Sequence, residues 1–513
     1  MDPSSQRRAD TDEFVDVPVL ERHFTGSQIF FFLICTVVGI DGLGTLATKG
    51  GAGFTFILCT VFFAVPSSFL MAELGAAYTE EGGPYVWVRM AFGHLAGAVN
   101  NVMYWATNPV WMGGTLVGTA LSGITVFFTD GDGITGAPMW IFGMIFIWAG
   151  VLFAVLSFRV GKWVATVGAY ARFALLGFFV LTIITYGAKN GLHGITFSSL
   201  TPNYSSFVAL VPLILFGLVG FELPSAAGGE MTDPAKDVPR AIAKSVVTST
   251  LLVALPILGI LLVLPPGQAT SLAGFPDAVK QALTVFGGHV TTGDTTTSTL
   301  TGAGQILGWI MGLLIVIAAF TSGLTWIMGS DRTLAVSCLD GAGPRALGKF
   351  SERFSTPVRV NVLSGVVSTG VFVATQLITD GDAAKFFNVA LALAISTTLM
   401  SYFFIFPAAW RLRRKNPEKV LPYRAPMVGL CTILSLFAVL FCTVQTLFPG
   451  LGDAWFSPDY LPNDSWTPNE KWVYLLTEAV PLVLFIALGV IFWAIGRKEA
   501  RMAATTPRAT VSA

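Results

Sequence analysis

Apolar runs of about 20 residues recur along this chain, and their recurrence fixes the solvent before any motif is read. At 1.5 Å of rise per residue, a helix of that length crosses a hydrocarbon core about 30 Å thick. Twelve such runs can be marked, near 27–47, 53–73, 97–121, 138–158, 163–187, 206–227, 243–265, 303–328, 358–379, 386–410, 426–448 and 473–496. Charged residues make up 12% of the chain, about half of what a soluble domain carries. The expected fold is an all-α membrane protein with twelve transmembrane helices.

Basic residues set the orientation, because Lys and Arg are kept on the cytoplasmic side more readily than they are translocated. With the N-terminus inside, 24 of the 30 basic residues fall in internal loops and tails. External loops hold Lys49, Lys189, Lys280, Lys385 and Lys471, and Arg172 alone stays within a span. Reversing the topology or deleting one span destroys this partition. Both termini are therefore expected in the cytoplasm, with the chain in the plasma (inner) membrane. The net charge of zero hides the asymmetry and gives no reason to expect nucleic acid as a partner. The first 24 residues lack the short apolar core of a secretory signal, so the first span reads as a retained anchor. Cys35, Cys59, Cys431 and Cys442 sit in spans and Cys338 in an internal loop, which leaves no external pair for a disulfide.

Enzyme chemistry has little to stand on. "GLGTLA" from Gly42 to Ala47 matches a dinucleotide fingerprint in form, but it lies in a membrane segment rather than after a strand of a βαβ unit. The four histidines, His23, His94, His193 and His289, lie in a tail, in loops or at span ends, without HExxH or paired CxxC motifs. No metal or cofactor is expected.

The informative residues are those that lipid rejects. The first span reads "TVVGIDGLGTLATKGG" from Thr36, with three glycines and Asp41 inside an apolar run. The sixth reads "FVALVPLILFGLVGFELPSAAGGEM", with Gly217 and Gly220 followed by Glu222 and Pro224. Each is loosened near its middle and acidic just beyond. They open successive blocks of five spans, the placement expected of a transporter built from inverted repeats. An unwound turn exposes amides and carbonyls, which lipid forbids unless a ligand or cavity satisfies them. Close helix packing is the other use of such glycines.

Four stretches carry a family resemblance: "MAELGAAYTEEGGPYVWVRMAFG" at 71–93, "GFELPSAAGGEMTDPAKDVPRAI" at 220–242, "SDRTLAVSCLDGAGPRALGKFSERFSTPVR" at 330–359 and "LPYRAP" at 421–426. Together they resemble the amino acid–polyamine–organocation superfamily of amino acid permeases, over residues 25 to 497. The resemblance implies a five-plus-five inverted repeat fold. Its parts would be a tail (1–26), a first repeat (27–187), a second (206–410), two added helices (426–496) and a second tail (497–513). It also implies alternating-access transport of amino acids or related amines.

Roles follow the motif positions. The substrate-carboxylate turn of the family falls at Thr36, Val37 and Val38, followed by Gly39. The usual Gly-Ser-Gly is missing, as in the glutamate/4-aminobutyrate antiporter branch. Asp41 either faces the substrate path and favours an amine, or caps the second half-helix, the reading preferred on helix-dipole grounds. "FGLVGFE" makes Phe216 an aromatic gate, gives Gly217, Leu218 and Val219 carbonyls for an ammonium, and makes Glu222 a gating or protonation residue. Arg172 resembles the embedded lysine that stands in for sodium in sodium-independent relatives, although a guanidinium keeps its charge where a lysine can lose it. Asn108, Trp111, Thr325, Trp326, Ser396, Thr397, Thr398 and Tyr402 are weaker lining candidates, and "GTLVG" at 114–118 suits packing within the bundle.

The expected protein is a sodium-independent exchanger or proton symporter working as a monomer or homodimer. The rivals are a membrane sensor that binds without translocating, a carrier of polyamines or organic amines, and a channel. The apolar triplet at the first break favours a neutral or small amino acid; a cationic substrate would use Asp41 or Glu222.

Overall fold

The computed structural model describes residues 22–48, 52–156, 158–194, 201–264, 273–292, 296–378, 383–452 and 470–505. Two short helices, α1 (Gly26–Val37) and α2 (Leu43–Thr48), are followed by α3 (Phe54–Ala77), α4 (Gly83–Phe92), α5 (His94–Phe128), α6 (Ala137–Leu156) and α7 (Phe158–Asn190). Next come α8 (Tyr204–Phe216), a 3₁₀ segment (Leu223–Glu230), α9 (Pro234–Val263) and α10 (Gly274–Leu283). The hairpin strands β1 (Gly288–Thr292) and β2 (Thr296–Leu300) precede α11 (Gly302–Leu339), α12 (Val358–Ile378), α13 (Ala383–Lys415), α14 (Val428–Leu447) and α15 (Lys471–Thr505).

Among the described residues ten helices are long and apolar enough to cross a membrane, and two further apolar helices, α1 and α8, are shorter. The short pair falls where the first and sixth spans were expected to break. Large apolar side chains such as Ile141, Trp163, Leu181 and Ile184 lie exposed on α6 and α7, a surface matched to acyl chains rather than water.

Local sequence explains the boundaries. Asn203 caps α8, its side chain accepting the Ser206 amide at 2.7 Å. Gln28 folds back on the Thr25 amide at the start of α1, one half of a capping box. Near its middle α5 loosens into a π turn at Met112–Leu116, where Gly113 lies against the Ser368 backbone of α12 and Gly114 against Ala390 of α13. Any side chain at these two positions would push the helices apart.

Two expectations change. The eighth span runs on from 328 to Leu339, because buried ion pairs carry the helix past its apolar stretch. Asp331, Arg332 and Cys338, expected in a loop, are therefore helical and buried. The linker before this helix folds as α10 and the antiparallel hairpin, a feature without a hydropathy signal.

One end of the bundle gathers the basic loops and is tied by ion pairs. Arg332 donates to Glu81 at 2.7 Å and to Glu230, Arg89 pairs with Asp340 at 2.9 Å, and Arg413 pairs with Glu73. Burial pushes the Asp340 carboxyl up, against the pull of Arg89. The strand entering α1 bridges Phe24 to Met231 just past the 3₁₀ segment, so the two broken spans are joined at this basic end.

Candidate functional site

A cavity of about 30 Å³ lies between the two breaks, large enough for a water molecule. Thr36, Val37, Gly39 and Asp41 line it from the first break, Phe216 and Gly217 from the second, and Trp111 and Trp326 from α5 and α11. Of the expected site residues, Val38, Leu218, Val219, Arg172 and Glu222 lie outside that lining.

At the first break the chain leaves the helix after Val37. The Val38 amide still reaches Ile34 O at 3.1 Å and the Gly39 amide turns back on Val37 O at 3.0 Å. The amides expected to face a substrate carboxylate are thus already used. Asp41 sits beyond them, buried, with its carboxylate against the backbone amides of Asp41 and Gly42 and accepting the Trp111 indole N–H at 2.7 Å. Cap and cavity lining are therefore joined in one residue, two positions before α2.

The carbonyls of this break are taken as well. Arg172, fully buried on α7, donates to the carbonyls of Val38 (2.9 Å), Cys35 (3.3 Å), Gly168 (2.9 Å) and Ala318 (2.7 Å). It also donates to the hydroxyls of Thr321 (2.9 Å) and Ser322 (2.5 Å) and to Cys35 Sγ (3.4 Å). No carboxylate is among these partners. The cation is solvated by four backbone carbonyls, two of them at the end of α1, and by two hydroxyls, ligands of the kind a bound alkali ion takes. Ser322 in turn donates to Cys35 O at 3.1 Å, and the Trp326 indole to Thr36 O at 3.3 Å.

At the second break the Gly217 amide reaches Leu213 O at 3.1 Å and the Leu218 amide Leu215 O at 2.9 Å. The carbonyls of Gly217, Leu218 and Val219 accept no hydrogen bond among the described residues. Gly220 takes φ +105°, and a Cβ there would lie 2.7 Å from the Thr36 methyl, so the two breaks touch and only glycine fits. The Gly220 amide donates to the Tyr402 hydroxyl at 3.1 Å. Tyr402 and Tyr104 donate to Glu222 Oε1 at 2.8 and 2.9 Å, while Oε2 is buried without a partner. Glu222 therefore ties the second break to α13 and α5.

Aromatic rings wall the cavity. Trp111 meets Phe216 edge to face at 5.5 Å and Trp326 at 6.1 Å. Gly42, Leu43 and Ile214 add to the lining, as do Phe56, Leu46, Leu213 and Val253. These four went unnoticed in the sequence, since an apolar residue in an apolar span gives no signal. Tyr104 was missed too, although a phenol in mid-span is a readable sign of a buried acceptor. Thr397 and Thr398 bond Thr107 instead, and Ser396 faces Glu478 at 3.5 Å. Thr325 donates back to its own helix, and neither side-chain polar atom of Asn108 has a partner.

The profile of the amino acid permease family matches residues 24–461. An uncharacterized transporter of Legionella pneumophila is 25% identical over 439 residues, covering 82% of this chain and 89% of that protein. A probable agmatine/putrescine antiporter of Lactococcus lactis is 26% identical over 473 residues, 89% of this chain and 91% of that one. An inner membrane transporter of Escherichia coli is 24% identical over 433 residues, 78% and 84%.

Proposed function

This chain belongs to the amino acid permease family, and on that premise we propose that it is a sodium-independent exchanger of organic amines. It is a multi-pass membrane transporter, and its relatives are transporters rather than enzymes. The finer architecture in this proposal is twelve spans, counting each broken pair as one, with both termini cytoplasmic. Residues 27–187 and 206–410 form inverted five-helix repeats, 426–496 adds two helices, and the bundle rocks about the cavity.

The observation that carries the substrate class is Asp41. A substrate α-carboxylate would need spare amides at the first break. Those of Val38 and Gly39 are bonded within the chain, and a carboxylate already sits against those of Asp41 and Gly42. An ammonium instead meets the Asp41 carboxylate, the second break at Gly217, whose carbonyl is unpaired among the described residues, and the rings of Phe216, Trp111 and Trp326. Carbonyls, a carboxylate and π faces all favour a cation. The Lactococcus relative named for agmatine and putrescine supports the same class, and this preference replaces the neutral amino acid expected from the apolar triplet. Arg172 fills the place of a driving cation with a permanent charge, which supports exchange over sodium symport. Glu222 acts as the gating residue that draws the second break onto α5 and α13.

The test is counterflow into liposomes preloaded with unlabelled putrescine, agmatine, arginine or alanine, with and without sodium. Accelerated uptake of the labelled amines lacking an α-carboxylate, unchanged by sodium removal, is expected. Flux confined to α-amino acids would overturn the substrate class. Saturable binding without flux under any gradient would favour the sensor.

A further inference from the structure

We propose that a groove at the basic end of α9 holds the headgroup of an ethanolamine phospholipid. The groove has a volume of about 380 Å³ and lies between the start of α1 and α9, with Gly26, Ser27, Phe30, Asp237, Arg240 and Lys244 on its walls. It is separate from the cavity between the breaks.

Its position follows from helix length. The 30 residues of α9 span about 45 Å against a core of about 30 Å. The charged positions Lys236, Asp237, Arg240 and Lys244 all fall in its first eleven residues, so that end lies at headgroup level. Arg240 and Lys244 are exposed and have no ion pair or hydrogen bond among the described residues. Below them one stripe of the helix continues at helical spacing as Val247, Leu251, Leu255 and Leu258, all exposed. Two cations at the head of an apolar stripe match a lipid phosphate above its acyl chain.

Asp237 selects the headgroup. It stands three residues beyond Arg240 on the side away from the apolar stripe, about 4.5 Å of rise. Among the described residues its carboxylate has only a 3.4 Å contact from the Thr232 hydroxyl. A second anion would be repelled there, whereas a primary ammonium two methylenes from the phosphate would reach it and donate to it. A quaternary choline has no N–H to give. The lipid would touch both α9 and α1, the first half of a broken span, and so restrain α1 against α9.

The experiment is native mass spectrometry of the full chain in detergent, titrated with phosphatidylethanolamine, phosphatidylcholine or phosphatidylglycerol of matched acyl chains. Expected is a preference for the ethanolamine lipid of about tenfold over choline. Asp237→Asn should remove that preference while keeping phosphate-dependent binding, and Arg240→Ala with Lys244→Ala should weaken all three lipids. Equal binding of ethanolamine and choline lipids, tighter binding of the glycerol lipid, or an unaffected double variant would each overturn the assignment. Lipid binding that emerges only after residues 1–21 are removed would give the groove to the N-terminal tail instead. Far-ultraviolet dichroism and melting of each variant in lipid-free detergent separate lost binding from lost fold.

Discussion

At the first break the carbonyls of Cys35, Thr36 and Val38 are all occupied, by Arg172 with Ser322, by Trp326 and by Arg172 again. At the second, the carbonyls of Gly217, Leu218 and Val219 are left without a donor among the described residues. The two spans share one sequence design and differ in who satisfies the freed backbone. A resident cation completes the first; the proposed function leaves the second for a cation that comes and goes. On the proposed function a permanent guanidinium and a transient ligand each meet freed backbone carbonyls, and only the transient one is cargo.

The sharpest way to break this contrast is Arg172→Ala. It strands several buried carbonyls at once, at about 1–3 kcal/mol for each acceptor left unsatisfied. A large fall in melting temperature and loss of counterflow are expected. Arg172→Lys should recover only part of the loss, because three donors replace five. Sodium that restabilises Arg172→Ala would sharpen the contrast, by showing that the pocket takes any cation; wild-type melting of that variant would dissolve it.

Asp41→Asn comes next and acts on cargo rather than on fold. It keeps an acceptor for the Trp111 indole but removes the charge, so amine counterflow should fall about 10²-fold or more, as expected for a lost desolvated charge pair. Melting should change little, and an equal loss in melting and flux would make Asp41 a cap alone.

Tyr402→Phe tests the second break. It deprives the Gly220 amide of its acceptor and Glu222 of one of its donors, at a cost of about 1–3 kcal/mol for the group left unpaired, read as reduced melting with slowed exchange. The smallest expected effect is Phe216→Leu. Losing one aromatic face costs about 1 kcal/mol, seen as about a fivefold higher KM for the amine with melting preserved.

Much of this could be read from residues alone, and the limits are physical. Gly39, Asp41 and Gly217 were legible because glycines and a carboxylate in an apolar run violate what lipid demands, whereas Thr36, Val37 and Phe216 came from the family resemblance alone. Phe56 and Leu213 obey that demand and so leave no trace. The use of the Val38 and Gly39 amides was hidden because it depends on how the chain turns after the helix, which composition does not encode. Arg332 was placed in a loop since hydropathy ends a span where charge begins, whereas two carboxylates from distant segments neutralise it and let the helix continue.

That arginine has a kinetic consequence. Glu81 comes from the turn between α3 and α4 and Glu230 from the end of the 3₁₀ segment, so opening the basic end on the proposed cycle must pull Arg332 from at least one of them. At about 3–5 kcal/mol for a broken buried pair, an unaided carrier would visit the open state a few hundred to a few thousand times less often. A carrier that recovers this energy only when cargo rearranges the breaks returns loaded far more often than empty. On the proposed cycle, tightly coupled one-for-one exchange with little slip would then rest on three side chains that never touch the cargo.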